Sequence, residues 1–277
     1  MTKKLIPYLV FTLVALILYR VFLFHDEKTG PEPRDYDEIV ASDTLRATTE
    51  YNSISMQAGT DSMEGFHLEL VKAFVKEHGI EVSVKPEMSM SQRLKGLAEG
   101  KYDLIADGIP ITTGREDSLM FTKPIGRNYQ VLVQRKPLNA EDSAKYIKSQ
   151  IELAGKTVYV VRESPAIMRL NNINSEIGDT IFIEEFDKYG PEQLVALVAY
   201  GDIDYAVCDE TIARLASDSL PQIDLSIPIG FTQFYAWGVN KHSPILLDSI
   251  NAWLARYQKT KTFRVLAKKY GIKNIDN

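Results

Sequence analysis

Arg115 is the residue of this sequence best suited to bind a small anion. It follows the segment GIPITTG at positions 108–114. A guanidinium group presents parallel N–H donors that can meet a carboxylate through two hydrogen bonds, and it stays charged at any working pH. The alternative is a surface arginine that pairs with the neighbouring Glu116 or Asp117. From the residues alone, both interpretations stay open.

A second possible anion site lies where Arg162 and Glu163 are followed by Ser164 and Pro165. This segment comes after a predicted strand and opens a predicted helix, with Ser164 as the expected N-cap and Pro165 as the first helical residue. The free N–H groups at such a helix start favour an anion.

Other kinds of chemistry find little support in the residue types. The single cysteine, Cys208, cannot form an intramolecular disulfide, and the four histidines are scattered without metal-ligand spacing. There is no nucleophile–base pairing, phosphate loop or cofactor fingerprint, so we expect no cofactor and no metal. The net charge of −5 argues against a nucleic-acid partner.

Strand-like and helix-like patterns alternate along most of the chain. Strands are predicted at residues 45–50, 81–85, 103–109, 157–161, 180–184 and 204–208, with an extended segment at 121–135 and a further strand ending at Val239. Helices are predicted at 65–78, 91–99, 166–173, 191–200, 210–217 and 244–270. This alternation predicts an α/β protein with mostly parallel sheets flanked by helices.

One segment of the sequence recurs after 101 positions. LAEGKYDLIA at 97–106 is followed by LVAYGDIDYAV at 197–207, and in both a helix ends at glycine and an aspartate opens a buried strand. The recurrence predicts two similar lobes. Ligands of such sheets bind at the carboxyl ends of strands, so residues 107–108 and 208–209 are expected to face each other across a cleft.

The first residues differ from the rest. Lys3 and Lys4 precede an apolar run at 5–24 that is interrupted by Arg20. Twenty helical residues span roughly 30 Å, the thickness of a bilayer core, and the lysines mark the cytoplasmic side. We expect an uncleaved single-pass anchor in the inner membrane with the body in the periplasm; a cleaved signal peptide is the alternative. Residues 25–41 are predicted to be a stalk.

Four segments together resemble a known family. They are IVASDTLR at 39–46, GFHLEL at 65–70, GKYDL at 100–104 leading to GIPITTGR at 108–115, and FTKP at 121–124. In this order, they resemble the bacterial periplasmic solute-binding proteins of the polar-amino-acid class, and the non-catalytic binding module of membrane-bound lytic transglycosylase F. The resemblance covers residues 35–272. It implies a two-lobed periplasmic-binding-protein fold of type II, with lobe 1 at 42–132 and 231–277 and lobe 2 at 133–230. The lobes would rotate about crossovers near 131–135 and 228–232.

The resemblance also implies where the ligand binds. Arg115 would grip its α-carboxylate, helped by backbone N–H groups of the segment from Gly108 to Thr112. Asp209 would take its α-amino group, although an aspartate at this position also suits a helix N-cap, and both roles can hold at once.

The family also contacts its ligand from the loop after the first strand. That position is held here by Glu50 and Asn52, with Tyr51 as a possible stacking wall. Ordinary loop polarity and a tyrosine at the edge of the core are the alternatives.

Several positions depart from the family pattern. Pro110 stands where amino-acid binders commonly carry serine or threonine, and it has neither a hydroxyl nor a backbone N–H. Asp107 replaces a small residue, and Arg162 and Glu163 stand where small residues and glycine are common. Cys208 is expected in the core rather than at the ligand. These departures put the identity of the ligand in doubt but leave the fold unaffected.

Taken together, the sequence predicts a non-catalytic protein that binds a small amino-acid-like ligand, short peptide or muropeptide by lobe closure and hands it to a membrane permease. A sensor of cell-wall fragments that acts on a cell-wall enzyme is the alternative, because no catalytic domain is expected after Ile272 in a sequence that ends at Asn277. A small dehydratase-like enzyme, with Asp107, Glu163 and Asp209 as cleft carboxylates, is a second alternative.

Overall fold

A computed structural model describes residues 31–186 and 190–273 of the chain. The expected anchor at residues 1–24 lies outside the described residues. Among the helices that are described, none is both long and apolar enough to cross a bilayer. Residues from Pro33 onward form one compact unit, and this unit consists of two lobes, each built on its own sheet.

The sheet of the first lobe has six strands in the order β4-β1-β5-β13-β6, with β7 paired to β13. Strands β4, β1 and β5 are parallel, whereas β13 runs antiparallel to β5, β6 and β7. The strands are β1 (Thr44–Thr49), β4 (Glu81–Pro86), β5 (Leu104–Pro110), β6 (Met120–Phe121), β7 (Gly126–Asn128) and β13 (Gln233–Val239).

Six helices and a small hairpin complete this lobe. The helices are α1 (Tyr36–Ala41), α2 (Phe66–His78), α3 (Met90–Ala98), α4 (Thr113–Glu116), α9 (Pro244–Tyr257) and α10 (Lys261–Lys269). The hairpin pairs β2 (Gln57–Ala58) with β3 (Met63–Glu64).

The second lobe has a five-stranded sheet in the order β10-β9-β11-β8-β12. Its strands are β8 (Gln130–Arg135), β9 (Thr157–Val161), β10 (Phe182–Phe186), β11 (Ala206–Asp209) and β12 (Ile223–Asp224). Four α-helices and one 3₁₀ turn (Gln150–Leu153) accompany it: α5 (Ala140–Lys145), α6 (Ala166–Ile177), α7 (Pro191–Tyr200) and α8 (Glu210–Ser217). Strands β10, β9 and β11 are parallel, whereas β8 is antiparallel to β11 and β12.

Both sheets are covered on two faces, as the strand patterns predict. Along β8, Val131 and Val133 belong to one core cluster and Leu132 belongs to the other. Along β5, Leu104 and Ile105 separate in the same way. Successive side chains of a strand point to opposite faces, so these nearly continuous apolar runs fill two cores at once.

The sheets are mixed, so the expectation of mostly parallel sheets is corrected. The parallel strands end at the edge that faces the other lobe. The strands that follow a crossover, β8 and β13, begin at this edge and therefore run in the opposite direction. The first crossover lies at Tyr129, between β7 and β8, two residues before the expected crossover near 131–135. The return lies between the Val131–Pro228 bridge and the start of β13.

The described part of residues 25–41 is not only a stalk. Helix α1 is capped by Asp35, and its Ile39 is fully buried in the core of the first lobe. Arg34 forms an ion pair with Asp103 and donates to the Thr44 carbonyl. The apolar Ile39 and the charge of Asp103 thus hold this segment against the lobe.

The recurring segment has the predicted local structure in both lobes. Gly100 and Gly201 have φ of 71° and 88°, in the left-handed region that favours glycine. The next two N–H groups donate to a carbonyl one turn earlier in both cases, at Gly96 in the first lobe and at Leu197 in the second. The predicted helix at 244–270 is instead two helices, because Thr260 starts α10 as an N-cap.

Candidate functional site

A cleft of about 170 Å³ lies between the two lobes. A cavity that holds one water needs only about 10–15 Å³ on this measure, so the cleft has room for a small organic ligand. Of the residues expected at the ligand, the cleft is lined by Glu50, Asn52, Gly108, Pro110, Arg115, Arg162, Ser164 and Asp209. Tyr51 and Thr112 are not part of its wall.

Arg115 lies in the cleft wall with an unused donor. Its Nη1 is buried and has no hydrogen-bond partner among the described residues. The alternative, a surface ion pair with Glu116 or Asp117, is not formed within the described part of the chain. Burial and the positive charge of Arg93 lower the pKa of Arg115. A ligand carboxylate would supply the missing acceptor.

The backbone donors expected beside Arg115 are mostly engaged. The Gly108 N–H donates to the Asp107 carboxylate at 2.8 Å, and the Ile111 N–H donates to the Phe234 carbonyl at 3.0 Å. Pro110 has no N–H. Thr112 lies outside the wall and precedes α4 without a side-chain cap. Two of the expected free N–H groups are therefore engaged, Gly108 by Asp107 and Ile111 by strand β13, and Pro110 supplies none.

Arg93 is a cleft residue that the sequence analysis did not identify. It lies on α3, and its side chain is only 3% exposed. Its Nη1 donates to the Glu87 carbonyl at 2.7 Å, and its Nη2 lies 3.6 Å from Glu50 Oε2 and 3.5 Å from Asp107 Oδ2. Its Nε is buried without a partner among the described residues.

Glu50 is a poorly compensated carboxyl group in the wall. Burial, then repulsion from Asp107 and Glu192, raises its pKa from 4.5 to about 7, against the opposing charge of Arg93. Its carboxyl group therefore changes charge near neutral pH.

Asn52 is buried and shapes the loop after β1. Its Oδ1 accepts from the N–H groups of Ile54 and Ser55 at 3.0 and 2.7 Å. Tyr51 is not a stacking wall: the residue is 46% exposed, and its hydroxyl accepts from the Ala58 N–H. The loop turns on Asn52 and directs Tyr51 away from the cleft.

Asp107 and His67 form the polar floor of the cleft. Burial alone would raise the pKa of Asp107, but Arg93, His67, the Ser55 hydroxyl and the Gly108 N–H together lower it. Burial lowers the pKa of His67 to about 4, so its ring is neutral at pH 7. The Trp237 indole N–H donates to His67 Nδ1 at 3.0 Å, which places the ring proton on Nε2.

Asp209 caps α8 and lines the cleft at the same time. Its Oδ1 accepts from the N–H groups of Thr211 and Ile212 at 3.0 and 3.4 Å, and from Asn128 Nδ2. Burial raises its pKa to about 6, although the Tyr235 hydroxyl and these N–H groups oppose the shift. All three of these hydrogen bonds go to Oδ1, so the helix cap and Asn128 occupy one of the two carboxylate oxygens.

The start of α6 differs by one residue from the expectation. Pro165, not Ser164, is the N-cap position, and no side chain caps it in the usual way. The Ser164 hydroxyl accepts from the Ala166 N–H at 3.2 Å. Arg162 and Glu163 are exposed at the rim, and Glu163 has a left-handed φ of 62°, where glycine is favoured.

Cys208 is a core residue, as expected, and it also lines the cleft. It is buried in the second lobe with Ala206 and Val131, and burial raises the pKa of its thiol well above the usual value.

The two lobes contact each other across the cleft. The Ser91 N–H of the first lobe donates to Glu163 Oε2 at 2.8 Å, and the Ser53 N–H donates to Glu192 Oε1 at 2.8 Å. Both carboxylates come from the second lobe and both donors from the first. The lobes are therefore held face to face over the cavity.

Comparison with known families decides the class of protein. The sequence profile of the bacterial extracellular solute-binding proteins, family 3, matches residues 45–273. The chain belongs to this family. The cleft is therefore the cleft of a family-3 solute-binding protein, and the predicted two-lobed fold is confirmed.

Curated relatives of this family-3 chain are named membrane-bound lytic murein transglycosylase F. The protein of Cellvibrio japonicus is 22% identical over 245 residues, which cover 88% of this chain and 48% of that protein. The protein of Desulfosudis oleivorans is 28% identical over 222 residues, covering 80% and 47%. The chain thus spans about half the length of the curated relatives that it matches.

Solved structures similar to this chain include amino-acid-binding proteins. A mutant of ArgBP from T. maritima is 25% identical, with a TM-score of 0.71 over 85% of this chain and 98% of that chain. An ancestral arginine-binding protein bound to arginine is 25% identical, with a TM-score of 0.70 over 82% and 97%. Tv2483 bound to L-arginine has a TM-score of 0.74 over 87% and 96% at 17% identity, so this likeness shows the fold alone.

Proposed function

We propose that this solute-binding protein binds a small amino-acid-like ligand through its carboxylate and that the two lobes close over it. The observation that carries the proposal is the buried, unpartnered Arg115 Nη1 in the wall of a cleft between two lobes. Arginine-bound relatives of the same fold support an amino acid as the ligand class.

Closure explains how a modest cleft holds such a ligand. A ligand stabilises the closed arrangement only through contacts that the open arrangement lacks. Glu50, Asn52 and Arg115 come from the first lobe, and Asp209 and Ser164 come from the second. A ligand that touches both groups therefore favours closure, with the strands near Tyr129 and residues 229–232 as the hinge.

Native mass spectrometry of freshly purified protein tests this function. We expect a bound small molecule whose mass matches an amino acid or a short peptide. A thermal-shift screen with amino acids, dipeptides and muropeptides should then raise the melting temperature for at least one of them. A protein that carries no ligand and is stabilised by none of these compounds would contradict the proposal.

Sensing of a cell-wall fragment is a second candidate, supported by the names of the curated relatives. In this role the protein would bind a muropeptide and act on a membrane or cell-wall partner, whereas a transport protein would pass an amino acid to a permease. The same screen separates the two, because a sensor of fragments should be stabilised by muropeptides and not by free amino acids.

We propose that binding involves no catalysis. The three carboxylates that a dehydratase would use are engaged: Asp107 with Ser55 and Arg93, Asp209 as a helix cap, and Glu163 with Ser91. Glu50, with a pKa near neutrality, would be the candidate acid of an enzyme. Mass spectrometry of the ligand before and after incubation distinguishes the two, because an enzyme would convert it.

We also propose an extracytoplasmic location with the apolar segment at residues 5–24 as a membrane anchor. Membrane fractionation with alkaline carbonate extraction tests it. An anchored protein stays in the membrane pellet, and a protein with a cleaved segment is released.

A further inference from the structure

The wall of the cleft contains a second guanidinium with an unused donor. A guanidinium has five N–H groups in a fixed planar fork. In Arg93, Nη1 is bonded to the Glu87 carbonyl and Nη2 lies between Glu50 and Asp107. Nε has no partner among the described residues, although the side chain is only 3% exposed. Because an unmatched buried donor is costly, the position calls for an acceptor that arrives with the ligand.

Three positions of the neighbouring backbone, Gly108, Pro110 and Ile111, offer no free donor for an anion. The N–H groups of Gly108 and Ile111 are already bonded, and Pro110 has none. Within the described wall, the buried side-chain donors left without a partner are Arg93 Nε and Arg115 Nη1. Arg93 and Arg115 line the same cleft, and the charge of Arg93 contributes to the lowered pKa of Arg115.

We propose that Arg93 is a second ligand-binding arginine, whose Nε–H donates to the ligand carboxylate that Arg115 also holds. This inference rests on the proposed function, since it assigns a second donor to the same ligand. A carboxylate has enough acceptor positions for both guanidinium groups. The ion pairs to Glu50 and Asp107 use Nη2, so a purely structural arginine would leave Nε without a role.

Two guanidinium groups on one carboxylate make the site selective for that group. A ligand whose carboxylate is replaced by an amide presents an N–H₂ group toward one of the two donors. It also lacks the negative charge that attracts both guanidinium groups. L-Arginine should therefore bind far better than argininamide or agmatine, and the preference should depend on Arg93 as well as on Arg115.

The Nε–H resonances of the arginine side chains report on this directly. ¹⁵N–¹H spectra are recorded while wild-type protein is titrated with L-arginine and, separately, with acetate. We expect a saturable shift of the Arg93 Nε–H signal, assigned by its loss in Arg93→Lys. The Arg46 Nε–H, which is bonded to Asp103 outside the cleft, should stay in place.

The outcomes separate this inference from the proposed function. If an Arg115 signal shifts with L-arginine but the Arg93 Nε–H does not, Arg115 binds the ligand and the role of Arg93 is overturned. If neither arginine responds to any amino acid or to acetate, both proposals are overturned.

Calorimetry of the lysine variants provides a second, independent test. Arg93→Lys keeps the charge beside Glu50 and Asp107 but lacks the planar Nε donor, so we expect about tenfold to a hundredfold weaker binding of L-arginine. The preference for L-arginine over argininamide should fall by a similar factor, which a merely structural residue would not change. Arg46→Lys is the matched control and should bind like wild type. Wild-type affinity and preference in Arg93→Lys would overturn the inference.

Discussion

The Glu163 carboxylate of the second lobe accepts a hydrogen bond from the backbone N–H of Ser91 in the first lobe, at 2.8 Å. Ser91 lies in the first turn of α3, where N–H groups lack helical partners and favour a negative charge. Glu163 reaches it from a left-handed backbone position that costs about 1 kcal/mol or more for a residue with a side chain. The Glu192–Ser53 contact has the same arrangement: a carboxylate of the second lobe accepts from a backbone N–H of the first lobe.

We expect these two contacts to stabilise the closed arrangement. Glu163→Ala and Glu192→Ala should each weaken ligand binding by about threefold to tenfold, because the closed arrangement becomes less populated. Small-angle scattering of the ligand-free double variant should give a larger radius of gyration than wild type. Glu176→Ala, which removes a surface carboxylate of the second lobe paired with Arg169, is the control. Unchanged scattering and affinity in the double variant would show that the contacts do not control closure.

The raised pKa of Glu50 predicts a pH-dependent contribution to stability. In the folded protein the group keeps its proton up to about pH 7, whereas an ordinary glutamate loses it near 4.5. Between these values the folded state binds more protons than the unfolded state, so the stability from this group falls as pH rises through the window. At pH 8, Glu50→Gln should therefore have a free energy of unfolding roughly 1–3 kcal/mol larger than wild type, and a higher melting temperature.

At pH 4.5 the advantage of Glu50→Gln should disappear, because Glu50 is then protonated in the folded state. Differential scanning calorimetry at the two pH values measures the stability difference between variant and wild type. Glu99→Gln, at the exposed end of α3, is the control. An equal effect of Glu50→Gln at both pH values would contradict the assignment.

The two recurring aspartates should differ in their contribution to stability. The Asp103 side chain is fully buried and pairs with Arg34 and Arg46, whereas the Asp204 side chain is 42% exposed and pairs with Arg135 and Lys145. Removing one partner of a buried ion pair costs about 3–5 kcal/mol, and an exposed pair contributes about 0–1 kcal/mol. Urea denaturation of Asp103→Asn and Asp204→Asn gives the two values. Equal losses would show that burial does not set the difference.

Much of the fold was accessible from the sequence because local signals and tertiary packing agree. Helix α7 and strand β9 have the predicted bounds, and the glycines at 100 and 201 end their helices in the left-handed region. The direction of β8 and β13 was not accessible, since it depends on which edge of each sheet the crossover meets.

The candidate site was predicted in part. Arg115 and Asp209 were found through motifs. The prediction of Tyr51 as a stacking wall was wrong, because the Asn52 side chain shapes the loop and turns Tyr51 away. The prediction of a free donor at Gly108 was wrong, because the Asp107 side chain occupies it. Arg93 was missed because an arginine on a helix usually faces solvent. A signal was present: Arg93 precedes Leu97 by one helical turn and so shares its buried face.

Isothermal titration of wild type and Arg115→Ala with the amino acid that most stabilises the protein tests the central claim most directly. The account predicts that wild type binds one ligand and that the variant, with an unchanged melting temperature, binds about thirtyfold to several thousandfold more weakly. That loss corresponds to roughly 2–5 kcal/mol for a desolvated charge pair. An Arg115→Ala protein that binds the ligand with wild-type affinity would contradict it.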